Sequence, residues 1–173
     1  GRVTVVPVEG DGRVDPARVA EAMAPDTVLV SVMTANNEIG VIHPVADVSK
    51  ICRARGVWLH TDAVQAAGHV PSDVEALGVD LASLSAHKMY GPKGVGALYV
   101  RRSCALSPLI DGGGHEHGMR SGTLNVPGIV GLARALDVAV EDMARDRLHT
   151  RALRDRLWTT LREVSPTVVV NGP

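Results

Sequence analysis

Phenylalanine is absent from this sequence, and two tryptophans and two tyrosines are its only aromatic residues. Valine, leucine, isoleucine and alanine must therefore fill the core. The 173 residues are enough for one ordinary domain with a sizeable core. With 45% hydrophobic and 21% charged residues, the composition is that of a globular protein.

An excess of charge of either sign is also lacking, since the formal net charge is -1 and the pI is about 6.7. This balance gives no sign of the basic surface that binds nucleic acid or an acidic membrane, so we expect a small molecule or another protein as partner. No apolar run reaches the ~20 residues that span a bilayer. Residues 1–20 lack the apolar centre of a signal peptide.

Cysteine is scarce, and Cys52 and Cys104 belong to no CxxC pair. Two thiols cannot form a disulfide framework, so we expect a reducing, cytoplasmic setting. Cys52 lies beside apolar helix positions and is interpreted as a buried, inert thiol. Cys104 follows Arg101-Arg-Ser103, whose cations would lower its pKa. We assign a catalytic role to neither.

Apolar runs of strand length alternate with helical segments, which is typical of an α/β fold with a largely parallel sheet. The predicted strands cover residues 3–8, 28–33, 57–59, 81–85, 95–100 and the last apolar run at 168–170. Residues 28–33 are predicted to be a buried strand. Helices are predicted at 16–23, from Pro44 to before Gly56, from 127 to about 147, and around Leu153, Leu157 and Leu161.

Lysine is unusually rare, because only Lys50, Lys88 and Lys93 are lysines among 18 basic residues. Unlike arginine, lysine can lose its proton and act as a nucleophilic amine. Asn37, Asp62 and Lys88 each lie just past the end of a predicted strand, where open α/β sheets bind ligands.

An imine-forming lysine usually serves pyridoxal phosphate, which also needs a carboxylate at its ring nitrogen and donors for its phosphate. Asp62 fits the carboxylate, although an Asp after a strand is also a common helix cap. Gln65, three residues on, could reach the ring hydroxyl from the same turn.

Four motifs occur in order along the chain: TANNEIGVIHPV, HTDAVQAAG, SLSAHKMYGPKGVGAL and GGGHEHGMRSGTLNVPGIVGLARAL. With them the chain resembles the cysteine desulfurases of the NifS/IscS type, which are class V, fold-type I pyridoxal-phosphate enzymes. The resemblance implies the three-layer αβα large domain of fold-type I enzymes, with a mostly parallel mixed sheet, over residues 1–143. Residues 144–173 would begin a small C-terminal α/β domain.

The resemblance also implies roles for particular residues. Lys88 would hold the cofactor as the internal-aldimine lysine and move the substrate's α-proton. Asp62 would pair with the pyridinium nitrogen, Gln65 with the phenolic oxygen, and Asn37 would contact the cofactor edge and substrate.

The phosphate of the cofactor would be held by Ser85 and His87, from the strand end just before the lysine. Thr123 would reach a phosphate in the partner subunit, which implies a homodimer. His117 stands where the family usually has arginine, and the consequence of that difference stays open. No metal ligand is implied.

The reaction implied by the resemblance takes sulfur from L-cysteine, leaving alanine and a persulfide on an enzyme cysteine, which then passes sulfur to an acceptor protein. Neither cysteine here matches the family's catalytic one, and both ends of the chain look cut. We therefore expect a central fragment that is inactive alone. Iron-sulfur cluster assembly, tRNA thiolation and DNA thiolation all stay open as destinations of the sulfur.

Other interpretations stay open. Selenocysteine lyase and cysteine sulfinate desulfinase share these motifs, and a non-catalytic scaffold in a sulfur-transfer complex is credible for a fragment. His115-Glu-His117 suggests a metal enzyme but lacks a third ligand at recognisable spacing. The GPKGVG segment suggests a nucleotide site but lacks the GxxxxGK[ST] order.

Overall fold

Four strands form one mixed sheet in the computed structural model, which describes residues 1–173. They are β1 Leu29–Met33, β2 Trp58–Asp62, β3 Leu81–Ser85 and β4 Gly96–Val100, and they lie side by side in chain order. β1 pairs with β2 and β2 with β3 in parallel, whereas β4 runs antiparallel to β3. The predicted mostly parallel, mixed sheet is confirmed.

Three short helices precede or connect the strands: α1 Pro16–Ala22, α2 Val45–Ala54 and α3 Val74–Leu77. The predicted cap of α1 is confirmed, because an Asp15 carboxylate oxygen accepts from the Ala17 amide at 2.8 Å. Single 3₁₀ turns occupy Ala86–Met89 and Glu116–Gly118.

The core lies between these three helices and one face of the sheet. Strand residues alternate between faces, so the buried Leu59 and Thr61 point to the core while Trp58, His60 and Asp62 point away. Aliphatic side chains fill this core, as the absence of phenylalanine requires; its buried members are Val14, Val19, Val45, Val48, Cys52, Val57, Leu59, Val79 and Ala82.

The long helix α4, Val126–Val164, corrects one prediction. Two helices were expected, with a break after about residue 147, but the structure has one continuous helix of 39 residues. No glycine or proline occurs between residues 132 and 164, so nothing interrupts the backbone hydrogen bonds. Its second half exposes the leucine stripe of Leu153, Leu157 and Leu161. No helix of the protein combines the length and apolar character needed to cross a membrane.

Two strand predictions and one burial prediction were also wrong. Residues 3–8 and 168–170 form no strand, because neither segment has a neighbouring strand to pair with; Val3 is 84% exposed and Val169 is 74% exposed. β1 is a strand as predicted, but it is not buried, since it forms an edge of the sheet and Leu29 is 44% exposed.

Gly68 allows the segment after β2 to pack closely against α4. Its φ is +76°, and a Cβ added there would lie 2.6 Å from the Cβ of Ala139. Gly94 has a similar φ of +78°, but an added Cβ would meet nothing within 4 Å. The two glycines therefore share a backbone conformation and differ in their surroundings.

We expect Gly94→Ala to lower the free energy of unfolding by ~1 kcal/mol through left-handed strain alone. Gly68→Ala should lose that amount and a further ~1–3 kcal/mol, because the new methyl overlaps Ala139. Urea unfolding of both variants measures the difference. Equal losses would show that α4 does not pack against Gly68 in this way.

His43 joins the loop before α1 to the start of α2. The amide of Val14 donates to His43 Nδ1 at 3.2 Å, and the His43 side chain is buried. Burial lowers the pKa of His43 below its ordinary value of 6.5. A protonated imidazole could not accept this hydrogen bond, so the fold requires the neutral form.

Acid should therefore destabilise the protein through His43. Below pH 6.5 the unfolded chain binds a proton that folded His43 resists, so the free energy of unfolding falls until the pH passes the lowered folded pKa. In His43→Gln, urea unfolding from pH 7 to 5 should lose ~1 kcal/mol less than wild type. His149→Gln, on the exposed part of α4, is the matched control and should follow wild type. An unchanged pH slope in His43→Gln would contradict this.

Candidate functional site

The carboxyl ends of the three parallel strands meet at one edge of the sheet. Asp62, the last residue of β2, lies opposite Met33 of β1 and Ser83 of β3. The amide of Thr34 donates to the Asp62 carbonyl at 2.8 Å, which ties the segment after β1 to the end of β2. As predicted, Asn37, Asp62 and Lys88 follow neighbouring strands at this edge.

Asp62 is followed by a turn of residues 63–70, here called the Gln65 turn. One Asp62 carboxylate oxygen accepts from the Val64 amide at 2.9 Å, which restricts the rotation of the side chain. Ala63, Ala66 and Ala67 anchor the turn in the interior. Asp62 and Gln65 remain half-buried beside them, so both polar groups stay accessible.

Lys88 lies in a second turn, residues 86–91, here called the Lys88 turn. Ala86 and Met89 are 0% and 2% exposed and anchor its 3₁₀ segment, while Lys88 is half-buried and His87 exposed. The amine of Lys50 binds Asp47 at 2.7 Å, but Lys88 Nζ takes part in no hydrogen bond or ion pair of this chain. Lys88 thus presents an unpaired primary amine.

Ser85 and His87 flank the start of the Lys88 turn and contact each other. Ser85 Oγ lies 2.8 Å from His87 Nδ1. A hydroxyl and an imidazole together offer donors to an anion such as a phosphate. The structure therefore brings these two predicted residues together beside the lysine.

Two predicted residues stand apart from this group. Asn37 is exposed at the tip of the turn after β1, whose shape is held by Asn36, the acceptor for the amides of Glu38 and Ile39 at 2.9 and 3.1 Å. Thr123 is exposed in the loop before α4, with no hydrogen bond to the other candidates. Within one chain, the structure does not join Thr123 to the lysine.

His60 is part of the site edge that sequence reasoning missed. Its Nδ1 lies 2.8 Å from Ser31 Oγ and its Nε2 lies 2.8 Å from Ser83 Oγ, so one imidazole bridges three strands. Burial lowers the pKa of His60, and the nearby Asp62 carboxylate partly opposes this. His60 precedes Asp62 by two residues, so strand alternation places both on the same face of the sheet. That alternation was the signal in the sequence that could have identified His60.

The residues at this edge fit an aldehyde cofactor of the pyridoxal-phosphate type. That group needs a free amine, a carboxylate and phosphate donors, and Lys88, Asp62 and the Ser85-His87 pair have the required chemistry. No three His, Cys, Asp or Glu side chains lie close enough together to hold a metal ion.

Sequence comparison connects the chain to known proteins. The family model described as Aminotransferase class-V matches residues 1–173. The chain is 56% identical over 172 residues to cysteine desulfurase IscS of Anaeromyxobacter dehalogenans, covering 98% of this chain and 43% of that protein. It is 46% identical over 171 residues to cysteine desulfurase IscS of Dictyoglomus turgidum, covering 99% of this chain and 43% of that protein.

Solved structures share the fold. A NifS-like protein superposes with a TM-score of 0.91 at 47% identity, covering 95% of this chain and 46% of that one. DndA from Streptomyces lividans superposes with a TM-score of 0.86 at 42% identity, covering 94% of this chain and 47% of that one. The chain thus spans less than half the length of these relatives.

The likeness extends across nearly the whole chain, and the predicted fold-type I class is confirmed by the NifS-like structure. The fold of the chain is therefore that of a known family. By its full-length match, the chain belongs to the class-V aminotransferase family.

Proposed function

We propose that the protein containing this chain is a pyridoxal-phosphate-dependent cysteine desulfurase, which takes sulfur from L-cysteine and leaves L-alanine. The observation that carries the proposal is the unpaired Lys88 amine at the same sheet edge as the Asp62 carboxylate. The cysteine desulfurase names of the IscS relatives support the choice of substrate.

When bound, pyridoxal phosphate withdraws electrons from the substrate's α-carbon and so makes its proton removable. Lys88 Nζ would hold this group before substrate binds and, once released from it, would carry the α-proton. The Asp62 carboxylate keeps the ring nitrogen protonated, and the Gln65 amide binds the phenolic oxygen. Since the Val64 amide already restrains Asp62, its carboxylate needs little reorganisation to do this.

The remaining proposed contacts bind and orient. Ser85 and His87 hold the phosphate, and Asn37 contacts the cofactor edge and the substrate. Thr123 reaches a phosphate in the partner subunit, so the working protein is a homodimer. The exposed position of Thr123 supports this contact.

The thiol that accepts sulfur must be a reactive thiolate, and neither cysteine here qualifies. Cys52 is 1% exposed, and burial raises its pKa to about 11. The expectation that arginines lower the pKa of Cys104 was wrong: burial, then Asp80, raises it, and Arg101 offsets this only in part. We propose that another part of the full-length protein supplies this thiol, so residues 1–173 alone do not turn over L-cysteine.

The surroundings of the enzyme follow from the same proposal. Residues 1–143 belong to the large domain, and 144–173 begin the small one; all side chains after Met143 in α4 except Trp158 are exposed. The sulfur passes to an acceptor protein, and the IscS names of the relatives favour iron-sulfur cluster assembly. We place the protein in the cytoplasm, where free thiols such as these two persist.

Covalent attachment to one lysine tests the proposal. Full-length protein mixed with pyridoxal phosphate and reduced with borohydride should carry the cofactor on Lys88, as shown by absorbance and peptide mass. Lys88→Ala should abolish the label and lower alanine release about a hundredfold or more. Lys93→Ala, an exposed lysine five residues on, is the matched control and should behave as wild type. A label that persists in Lys88→Ala would refute the assignment.

Thiol alkylation tests the assignment of the two cysteines. At pH 8, native Cys52 should have about a hundredfold less thiolate than an unshifted thiol, because burial raises its pKa to about 11. Iodoacetamide followed by peptide mass analysis should therefore modify Cys52 and Cys104 only slowly in the native protein and fully in urea. Rapid native alkylation of either residue would reopen its candidacy as the sulfur acceptor.

A further inference from the structure

One hydrogen bond connects the two turns of the site. His69, near the end of the Gln65 turn, lies with its Nε2 2.8 Å from the Lys88 carbonyl oxygen. A carbonyl oxygen only accepts, so His69 Nε2 carries the proton and donates it. This is the only hydrogen bond between residues 63–70 and residues 86–91.

The rest of the Gln65 turn gives His69 a fixed position. Gly68 is held between Met89 and α4, since a Cβ on it would lie 2.6 Å from Ala139 Cβ and 3.5 Å from Met89 Cγ. The His69 amide donates to the Ala66 carbonyl at 2.9 Å. The exposed imidazole therefore reaches the Lys88 turn from a backbone that is held by the Ala66 carbonyl and by the close packing of Gly68.

The contact is made to the main chain of Lys88 and leaves its side chain free. The Lys88 turn is a single 3₁₀ turn anchored by Ala86 and Met89, and Tyr90 ends it in a left-handed conformation with φ of 61°. So short an element has few hydrogen bonds of its own. A donor on the Lys88 carbonyl restricts the rotation of the peptide plane next to the reactive residue.

We propose that His69 is a positioning residue for Lys88: by holding the Lys88 carbonyl, it sets the direction in which the amine meets an aldehyde cofactor. This inference rests on the proposed function. Because His69 follows Asp62 by seven residues, the same contact couples the lysine to the segment that carries the carboxylate and Gln65. The hydrogen bond of His69 is made to the main chain of Lys88 and not to its amine.

The test separates the approach of the amine from binding of the cofactor. Full-length apo-protein is mixed with pyridoxal phosphate, quenched with borohydride at intervals, and analysed by mass for label on Lys88. In parallel, affinity is measured for pyridoxine 5'-phosphate, which has the ring and phosphate but no aldehyde. The variants are His69→Phe, which has no donor, and His69→Gln, whose amide can donate to the same carbonyl. His149→Gln, distant on α4, is the matched control.

We expect His69→Phe to attach pyridoxal phosphate about fivefold more slowly, which corresponds to the loss of one ordinary hydrogen bond. Its affinity for pyridoxine 5'-phosphate should match wild type, and His69→Gln and His149→Gln should attach at close to the wild-type rate. If His69→Phe does not fold, His69→Ala replaces it with the same expected result.

Three outcomes would overturn the inference. His69→Phe could attach pyridoxal phosphate at the wild-type rate, or it could lose attachment rate and affinity for pyridoxine 5'-phosphate equally. His69→Gln could also attach the cofactor as slowly as His69→Phe. An equal loss would show that His69 only supports the fold of the turn. The proposed function fails separately, and takes this inference with it, if wild-type protein attaches no cofactor to Lys88. If the wild-type protein attaches the cofactor to Lys88 and His69→Phe does so at the same rate, only the positioning role is overturned.

Discussion

The parallel register of β1, β2 and β3 is the constraint on which the site depends. It sets Asp62 opposite Met33 and Ser83, so the segments after all three strands begin at one edge. A slip of one residue in β2 would turn Asp62 into the core and Thr61 out of it. The cost of burying an unpaired carboxylate makes that alternative unfavourable.

A buried hydroxyl pair supports this register from the core side. Thr61 is 0% exposed and donates to the Val32 carbonyl at 2.8 Å, which leaves Thr34 to donate to the Thr61 oxygen at 2.7 Å. On the other face, His60 bridges Ser31 and Ser83. Side-chain hydrogen bonds thus join the strands on both faces just below the carboxyl ends, where a rigid base benefits a site built on turns.

Much of the site edge could be predicted because the position at which a strand ends is local information. An apolar run followed by a polar residue places Asp62 and Lys88 past strand ends, and the scarcity of lysine draws attention to Lys88. Helix α1 was equally readable, since Asp15 and Pro16 are a cap and a first residue within one turn. Signals of this kind lie within a few residues of the feature they predict.

The sequence by itself determined the family motifs and the mixed α/β sheet, and it singled out Lys88 and Asp62 as candidate site residues. Only the tertiary structure decided that β1 lies at an edge, that residues 3–8 have no strand to pair with, that His60 bridges β1 and β3, and that His69 donates to the Lys88 carbonyl. These features depend on contacts between residues 19 or more positions apart, such as His69 with Lys88. Local propensity and alternation cannot specify which distant segments become neighbours, because that choice is made by the packing of the whole chain.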